Sequence, residues 1–151
     1  MNNIEIERKF LVKGDFLPFV SAKAEIAQGY LCASKERSVR VRIKDDSAYI
    51  TIKGPSGMNG FSRLEFEYPI PCDHAAEIMK LCNAVIEKER HYVPSGKHVF
   101  EVDVFRGAHD GLIIAEIELQ SEEESFEKPA WLGEEVTGDV RYYNSYLASH
   151  P

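Results

Sequence analysis

The sequence predicts an α+β fold that is mainly β. Eight antiparallel strands close into a barrel with a charged lumen, and a few helices cover the outside. Three observations support this. Strand-like runs alternate apolar and polar residues through most of the chain, and strand side chains alternate between faces. Six of those runs carry a like-charged pair at i and i+2: Glu5/Glu7, Arg40/Arg42, Glu65/Glu67, Lys88/Arg90, Glu101/Asp103 and Glu116/Glu118. Finally, 151 residues suffice for one domain with a single substantial core, and no linker or solenoid-type repeat divides residues 1–151.

The first strand is Ile4 to Val12, rich in β-branched and aromatic residues. It puts Glu5, Glu7 and Lys9 on one face and Ile4, Ile6 and Phe10 on the other, with Arg8 as the exception. Asp15 to Lys23 reads as a turn or short helix, and Ala24 to Ala33 as a second strand with Gln28, Tyr30 and Cys32 on one face. In Ser38 to Lys44, Val39, Val41 and Ile43 alternate with Arg40, Arg42 and Lys44. After the Asp45-Asp46-Ser47 turn, Ala48 to Lys53 places Tyr49, Thr51 and Lys53 together. Gly54 to Gly60, with three glycines and a proline, reads as a hairpin loop before a fifth strand, Arg63 to Ile70.

At Asp73 to Cys82 the period changes. Ala75, Ile78, Met79 and Cys82 fall at helical spacing, with Asp73 as N-cap and Asn83 as stop. Strands resume at Val85 to Val93 and at Lys97 to Phe105, joined by a Pro94-Ser95-Gly96 turn, and again at Leu112 to Gln120. Glu122 to Glu124 reads as a solvated helix start, and Thr137 as the cap of a last helix running to about Ala148.

The charge pattern bears on function. Two carboxylates at i and i+2 lie about 7 Å apart and repel by roughly 2 kcal/mol at a surface-like dielectric, less in water. A sheet with its charged side in solvent explains any one such pair. Six pairs sorted by sign, with eight acids and eight bases on the same faces, instead suggest an inward-facing charged lumen. Such a lumen suits divalent cations on the acids and a polyanion on the bases. A net charge of −7 argues against a broad nucleic-acid surface. No apolar run approaches the length of a membrane span. Cys32, Cys72 and Cys82 lack metal-ligand spacing and read as free thiols of a cytoplasmic protein.

On these residues the chain resembles the CYTH superfamily, the triphosphate tunnel metalloenzymes. Glu5-x-Glu7-x-Lys9 is similar to that family's N-terminal signature, and the likeness extends through Gly29-Tyr30-Leu31, Val39-Arg40-Val41-Arg42, Thr51-Ile52-Lys53, Glu65-Phe66-Glu67, Glu87-Lys88-Glu89-Arg90, Glu101-Val102-Asp103-Val104-Phe105 and Ala115-Glu116-Ile117-Glu118. The ending Trp131 to Thr137, followed by Asp139-x-Arg141-Tyr142, looks like the family's short bacterial branch, similar to inorganic triphosphatases. The resemblance implies an eight-stranded antiparallel tunnel holding a triphosphate with Mg²⁺ or Mn²⁺. The implied metal ligands are Glu5, Glu7, Glu116 and Glu118, with Asp103 as a further one. Phosphate contacts fall on Lys9, Arg40, Arg42, Lys53, Lys88 and Arg90, of which Lys9, Lys88 and Arg90 are the implied catalytic residues. Glu65 and Glu67 would orient these cations or hold water on a second metal.

The expected activity is metal-dependent hydrolysis of a small-molecule triphosphate, inorganic tripolyphosphate first. A class IV adenylate cyclase and a thiamine triphosphatase are the alternatives within the family. A non-catalytic polyphosphate or nucleotide sensor, and a structural β-domain with a solvated charged face, are alternatives of other classes. Neither nucleic acid nor membrane is an expected partner. The glycine-rich loop lacks the Lys-Ser/Thr of a P-loop, the five histidines lack ligand spacing, and Trp131 reads as a hydrophobic anchor. Tyr30 reads as packing before substrate stacking. Arg141 faces the tunnel mouth or pairs with a nearby acid.

Overall fold

The structure, a computed structural model, describes residues 3–34, 36–56 and 62–151. Residues 57–60 of the expected hairpin loop, and residue 61, lie outside the described residues, while Gly54 to Ser56 of that loop still belong to the fourth strand. All eight expected strands form: β1 (Ile4–Val12), β2 (Ala22–Ala33), β3 (Ser38–Lys44), β4 (Ser47–Ser56), β5 (Ser62–Ile70), β6 (Val85–Ser95), β7 (His98–Phe105) and β8 (Ile113–Glu118). Every pairing is antiparallel, in the order β5-β4-β3-β2-β6-β7-β8-β1. The ring closes where β1 meets β5, with Ile4 opposite Leu64 and Glu5 opposite Arg63. The result is a closed eight-stranded barrel with one extra strand.

That extra strand, β9 (Leu132–Glu135), is absent from the sequence reading, which has no strand there. Four residues that include a glycine and two glutamates carry no strand pattern of their own. They are extended because β1 offers them a free edge: β1 pairs with β8 on one side, while its other side takes β5 at residues 4–6 and β9 at Phe10 and Val12. Gly133 is required there, since a Cβ would stand 2.8 Å from the Leu11 carbonyl oxygen.

Other boundaries also differ. Helix α1 (Cys72–Met79) starts at Cys72 with Pro71 at the N-cap, so Asp73 sits in the first turn and not at the cap. Thr137 caps no helix; its hydroxyl accepts from the Lys9 backbone N–H at 2.9 Å and donates to Glu135 at 2.7 Å. The C-terminal helix α2 is the shorter Asn144–Ser149, after a 3₁₀ turn at Val140–Tyr142. Glu122–Glu124 starts no helix: Glu124 accepts from the Gln120 backbone N–H and contacts His98 at 2.6 Å. The β6–β7 turn starts two residues later than expected, at Gly96, because Pro94 and Ser95 still belong to β6.

Three apolar clusters hold the barrel. Outside, Phe10, Val93, Phe100, Val102, Ala115 and Ile117 pack under Phe16, Trp131 and Leu132. Trp131 is thus the anchor expected of it, its ring edge-on to Phe100 at 5.2 Å. Also outside, α1 covers Val41 and Ala48 through Ala75, Ile78 and Met79. The third cluster joins Ile86, Phe105 and Ile114 to Leu147 and Ala148 of α2. These three strand residues share the face of Lys88, Asp103 and Glu116, so the lumen is apolar at one end and α2 sits on that end. Much of the outer cover is irregular chain and not helix. Among the described residues, no helix is long and apolar enough to cross a membrane.

Candidate functional site

The charged faces turn inward. They border a cavity of about 300 Å³ that brings together Glu5, Glu7, Lys9, Arg40, Arg42, Lys53, Glu65, Glu67, Arg90, Glu116 and Glu118. Two of the expected site residues do not border it. Lys88 and Asp103 are buried behind the wall, at 0% and 1% exposure.

Strand register sorts the acids onto one wall. Glu7 lies opposite Glu118, and Glu116 opposite both Lys9 and Glu101. Their charges are unevenly balanced. Burial works against ionised Glu5, but Lys53, 2.7 Å away, outweighs it and lowers the pKa. Burial likewise opposes the charge of Glu116, yet Lys9, with Arg90 and Lys88, holds its pKa down at about 2. Glu7 is the opposite case: burial, then the charges of Glu116 and Glu5, push its pKa well up. Glu118 is raised by burial and by Glu5 and Glu101, and Glu65 is raised to about 7 by burial and Glu5. Among the described residues no cation stands within ion-pair distance of Glu7 or Glu118. The acids are gathered but not drawn around one point; among the described residues no three His, Cys, Asp or Glu side chains stand at metal-holding distance.

The bases form the facing wall. Arg40 donates to Thr51 at 3.0 Å and reaches Glu67 at 3.5 Å, while its buried Nε has no hydrogen-bond partner among the described residues. Arg42 donates from Nε to Gln28 at 2.8 Å; burial, then the charges of Arg40 and Arg90, draw its pKa down to about 9. Lys53 lies between Glu5 and Glu65, and its pKa is raised against burial by Glu5 and Glu7. Asp103 is fully engaged: one oxygen accepts from Arg90 Nε at 2.8 Å, the other from Arg90 Nη2 at 2.9 Å and from Lys88 at 2.7 Å. Against burial, Lys88 and Arg90 hold the Asp103 pKa far down, whereas burial brings Lys88 to about 7.

With this geometry the relatives can be compared. The sequence profile of the CYTH domain matches residues 3–144. The chain belongs to the CYTH family. It is 48% identical over 149 residues to an inorganic triphosphatase of Acetivibrio thermocellus, covering 97% of this chain and 94% of that protein. An inorganic triphosphatase of Nitrosomonas europaea is 35% identical over 150 residues, covering 95% and 96%. The crystal structure of an inorganic triphosphatase matches with a TM-score of 0.65 at 31% identity, covering 95% of this chain and 93% of that one.

This CYTH cavity also contains residues that the sequence did not single out as site residues. Tyr49, Thr51, Arg63, Thr137, Tyr143 and Asn144 border it beside Tyr30. The Tyr143 ring lies 5.3 Å from the Lys9 ammonium and 5.7 Å from the Arg63 guanidinium. Neutral polar residues carry no sorting signal, so Thr51, Gln28 and Asn144 are found only through their bonds to charged partners. Arg141 resolves toward an acid: it pairs with Asp139 at 2.6 Å. Arg8, the exception on the outer face of β1, pairs with Glu135 through both of its carboxylate oxygens.

Proposed function

We propose that this chain hydrolyses a phosphoanhydride bond of a small-molecule triphosphate, inorganic tripolyphosphate foremost, with a divalent cation, Mg²⁺ or Mn²⁺. The observation that carries the reading is a cavity inside the barrel with an acid wall opposite a base wall. The family relation and the names of the relatives support the substrate class.

The donor chemistry fits the cation. Glu5, Glu7, Glu116 and Glu118 would hold it, since hard carboxylate oxygens suit Mg²⁺ and Mn²⁺. Glu7, buried among like charges, is the acid most relieved by it. When bound, the ion polarises a phosphoryl oxygen and neutralises developing charge. Both oxygens of Asp103 already accept from Arg90 or Lys88, so its first role is to fix these two cations, ahead of any share in the metal.

Lys9, Arg40, Arg42, Lys53 and Arg90 bind the phosphate oxygens, arginine through its planar fork and lysine as a point charge. Arg40 Nε, without a hydrogen-bond partner among the described residues, is a donor in want of an acceptor. Glu65 and Glu67 hold Lys53 and Arg40 in place. These fixed cations need no reorganisation as negative charge spreads over the phosphoryl group during attack by water, which is the main electrostatic contribution expected of a protein to phosphoryl transfer. The test is phosphate release from tripolyphosphate with Mg²⁺, with Mn²⁺ and with excess chelator. Release that needs the metal supports the reading. No release with either metal overturns it, and undiminished release in chelator overturns its metal part.

A further inference from the structure

We propose that Asn144 is a positioning residue of this site, which with Gln28 locks the buried ammonium of Lys88 and the guanidinium of Arg42 into one hydrogen-bonded array. Asn144 Oδ1 accepts from Lys88 Nζ at 2.9 Å and from Gln28 Nε2 at 3.2 Å. Gln28 Oε1 in turn accepts from Arg42 Nε at 2.8 Å. Lys88 and Gln28 are both fully buried, at 0% exposure.

The polarity of this chain of bonds is forced. Lysine and arginine only donate, so both ends of the array are donors. Gln28 must show its oxygen to Arg42, which turns its amide nitrogen toward Asn144. Asn144 must then present oxygen to that nitrogen and to Lys88 alike. Both amides therefore have one satisfying orientation. Fully satisfied buried networks of this kind rigidify their members, and removal of one acceptor strands a buried donor.

The fold anchors Asn144 from the far side. It is the first residue of α2, whose Leu147 and Ala148 pack on Ile86, Phe105 and Ile114. Two residues earlier, the Tyr142 carbonyl accepts from Lys9 Nζ at 3.1 Å. One short segment thus holds two lysines from different strands, and Asn144 joins Lys88, which does not border the cavity, to the cavity wall. Loss of the Asn144 acceptor leaves the Lys88 ammonium to Asp103 alone, with one of its buried donors unmatched, and loss of Gln28 removes the acceptor of Arg42 Nε.

The experiment compares Asn144→Leu, which removes the acceptor, Asn144→Asp, which keeps it in nearly the same shape, and Gln28→Leu. The first readout is the ¹H–¹⁵N spectrum of the lysine ammonium groups at about pH 6, where an ordinary lysine is charged. The Lys88 resonance is expected to be resolved in the wild type and in Asn144→Asp, and shifted or broadened in Asn144→Leu, where Asp103 alone still holds the ammonium. The second readout rests on the triphosphatase reading. Asn144→Leu should lower kcat at least about tenfold, as for a lost bond to a charged group. Asn144→Asp should recover kcat to within about threefold of wild type, and Gln28→Leu should act mainly by raising KM. An unchanged Lys88 resonance in Asn144→Leu, or an Asp variant no more active than the Leu variant, overturns the proposal. Should Asn144→Leu fail to fold, an ammonium resonance absent in Asn144→Asp, or a Gln28→Leu variant with wild-type kinetics, overturns it. A wild type that releases no phosphate defeats the triphosphatase reading, and the spectrum still decides the positioning.

Discussion

Glu7 faces Glu118 across the β1–β8 ladder, and burial with Glu116 and Glu5 raises its pKa well above the ordinary carboxylate range. The folded protein therefore keeps this proton over a pH range in which the unfolded chain has released it. Without metal, that makes stability fall as pH rises from the ordinary carboxylate range through the raised value. Glu65 and Glu118 add to the same slope. Glu7→Gln removes one contribution while nearly preserving shape. The metal-free variant should melt about 3 °C above wild type at mildly alkaline pH, a shift worth ~1 kcal/mol in a chain this size. The two should converge near about pH 4, where an ordinary Glu is itself half protonated. Metal affinity and turnover should drop together, kcat/KM by at least about tenfold. Melting curves across pH and metal titrations check both halves; a variant no more stable than wild type at alkaline pH contradicts the crowding. At this scale the charged residues were legible in sequence, because alternation on a strand assigns each to a face. Asn144 was not, because it enters from α2 and no periodicity relates it to β6 or β2.

Helix α2 and strand β9 show why elements differ in legibility. β3 alternates over all 7 of its residues and β1 over Ile4 to Glu7 and on through Lys9 and Phe10, with Arg8 as the exception, long enough for their own pattern to declare them. β9 has four residues and exists because β1 leaves an edge open beside β5. Thr137 looked like a helix cap since a capping hydroxyl and one that bonds a neighbouring strand are the same residue type; here the Lys9 backbone takes it. The helix that does form is six residues, too short to be stable alone, so it depends on burying Leu147 at 7% exposure against the lumen's apolar end. Leu147→Ala should cost about 2–4 kcal/mol, lowering the melting temperature by roughly 5–10 °C. Because Asn144 moves with the helix, phosphate release should fall by more than the unfolded fraction explains. Calorimetry and initial rates at a temperature well below the transition separate the two effects. Unchanged specific activity in the folded fraction would show that α2 supports the barrel without supporting the site.

As a whole the molecule carries a net charge of −7 while gathering Lys9, Arg40, Arg42, Lys44, Lys53, Arg63 and Arg90 around one cavity. Like charges crowd within each wall, and a ligand that brings both signs relieves both. Metal with tripolyphosphate should therefore raise the melting temperature above a sodium sulfate control of matched ionic strength, since a ligand bound only by the folded state stabilises it by mass action. An increase no larger than the control's would leave the charged lumen without a specific ligand. The cavity size then bears on which triphosphate is preferred. About 300 Å³ lies at the small end of ligand pockets, and its walls are mostly ionic. The aromatic rings that border the cavity and could meet a nucleoside are Tyr30, Tyr49 and Tyr143. Tyr30 packs against the cluster at the lumen's apolar end, and the Tyr143 ring already faces Lys9 and Arg63. The organic group gains little there, while every phosphate contact is available to tripolyphosphate alone. kcat/KM should favour tripolyphosphate over ATP by at least about tenfold, only ~1.4 kcal/mol of transition-state discrimination. Thiamine triphosphate should rank with ATP, and ATP should yield orthophosphate with no cyclic AMP. Parallel assays of phosphate and cyclic AMP decide it: equal or better use of ATP would place a nucleoside-binding surface at the rim, and cyclic AMP as the main product would make the reaction a cyclisation on the same metal and phosphate residues.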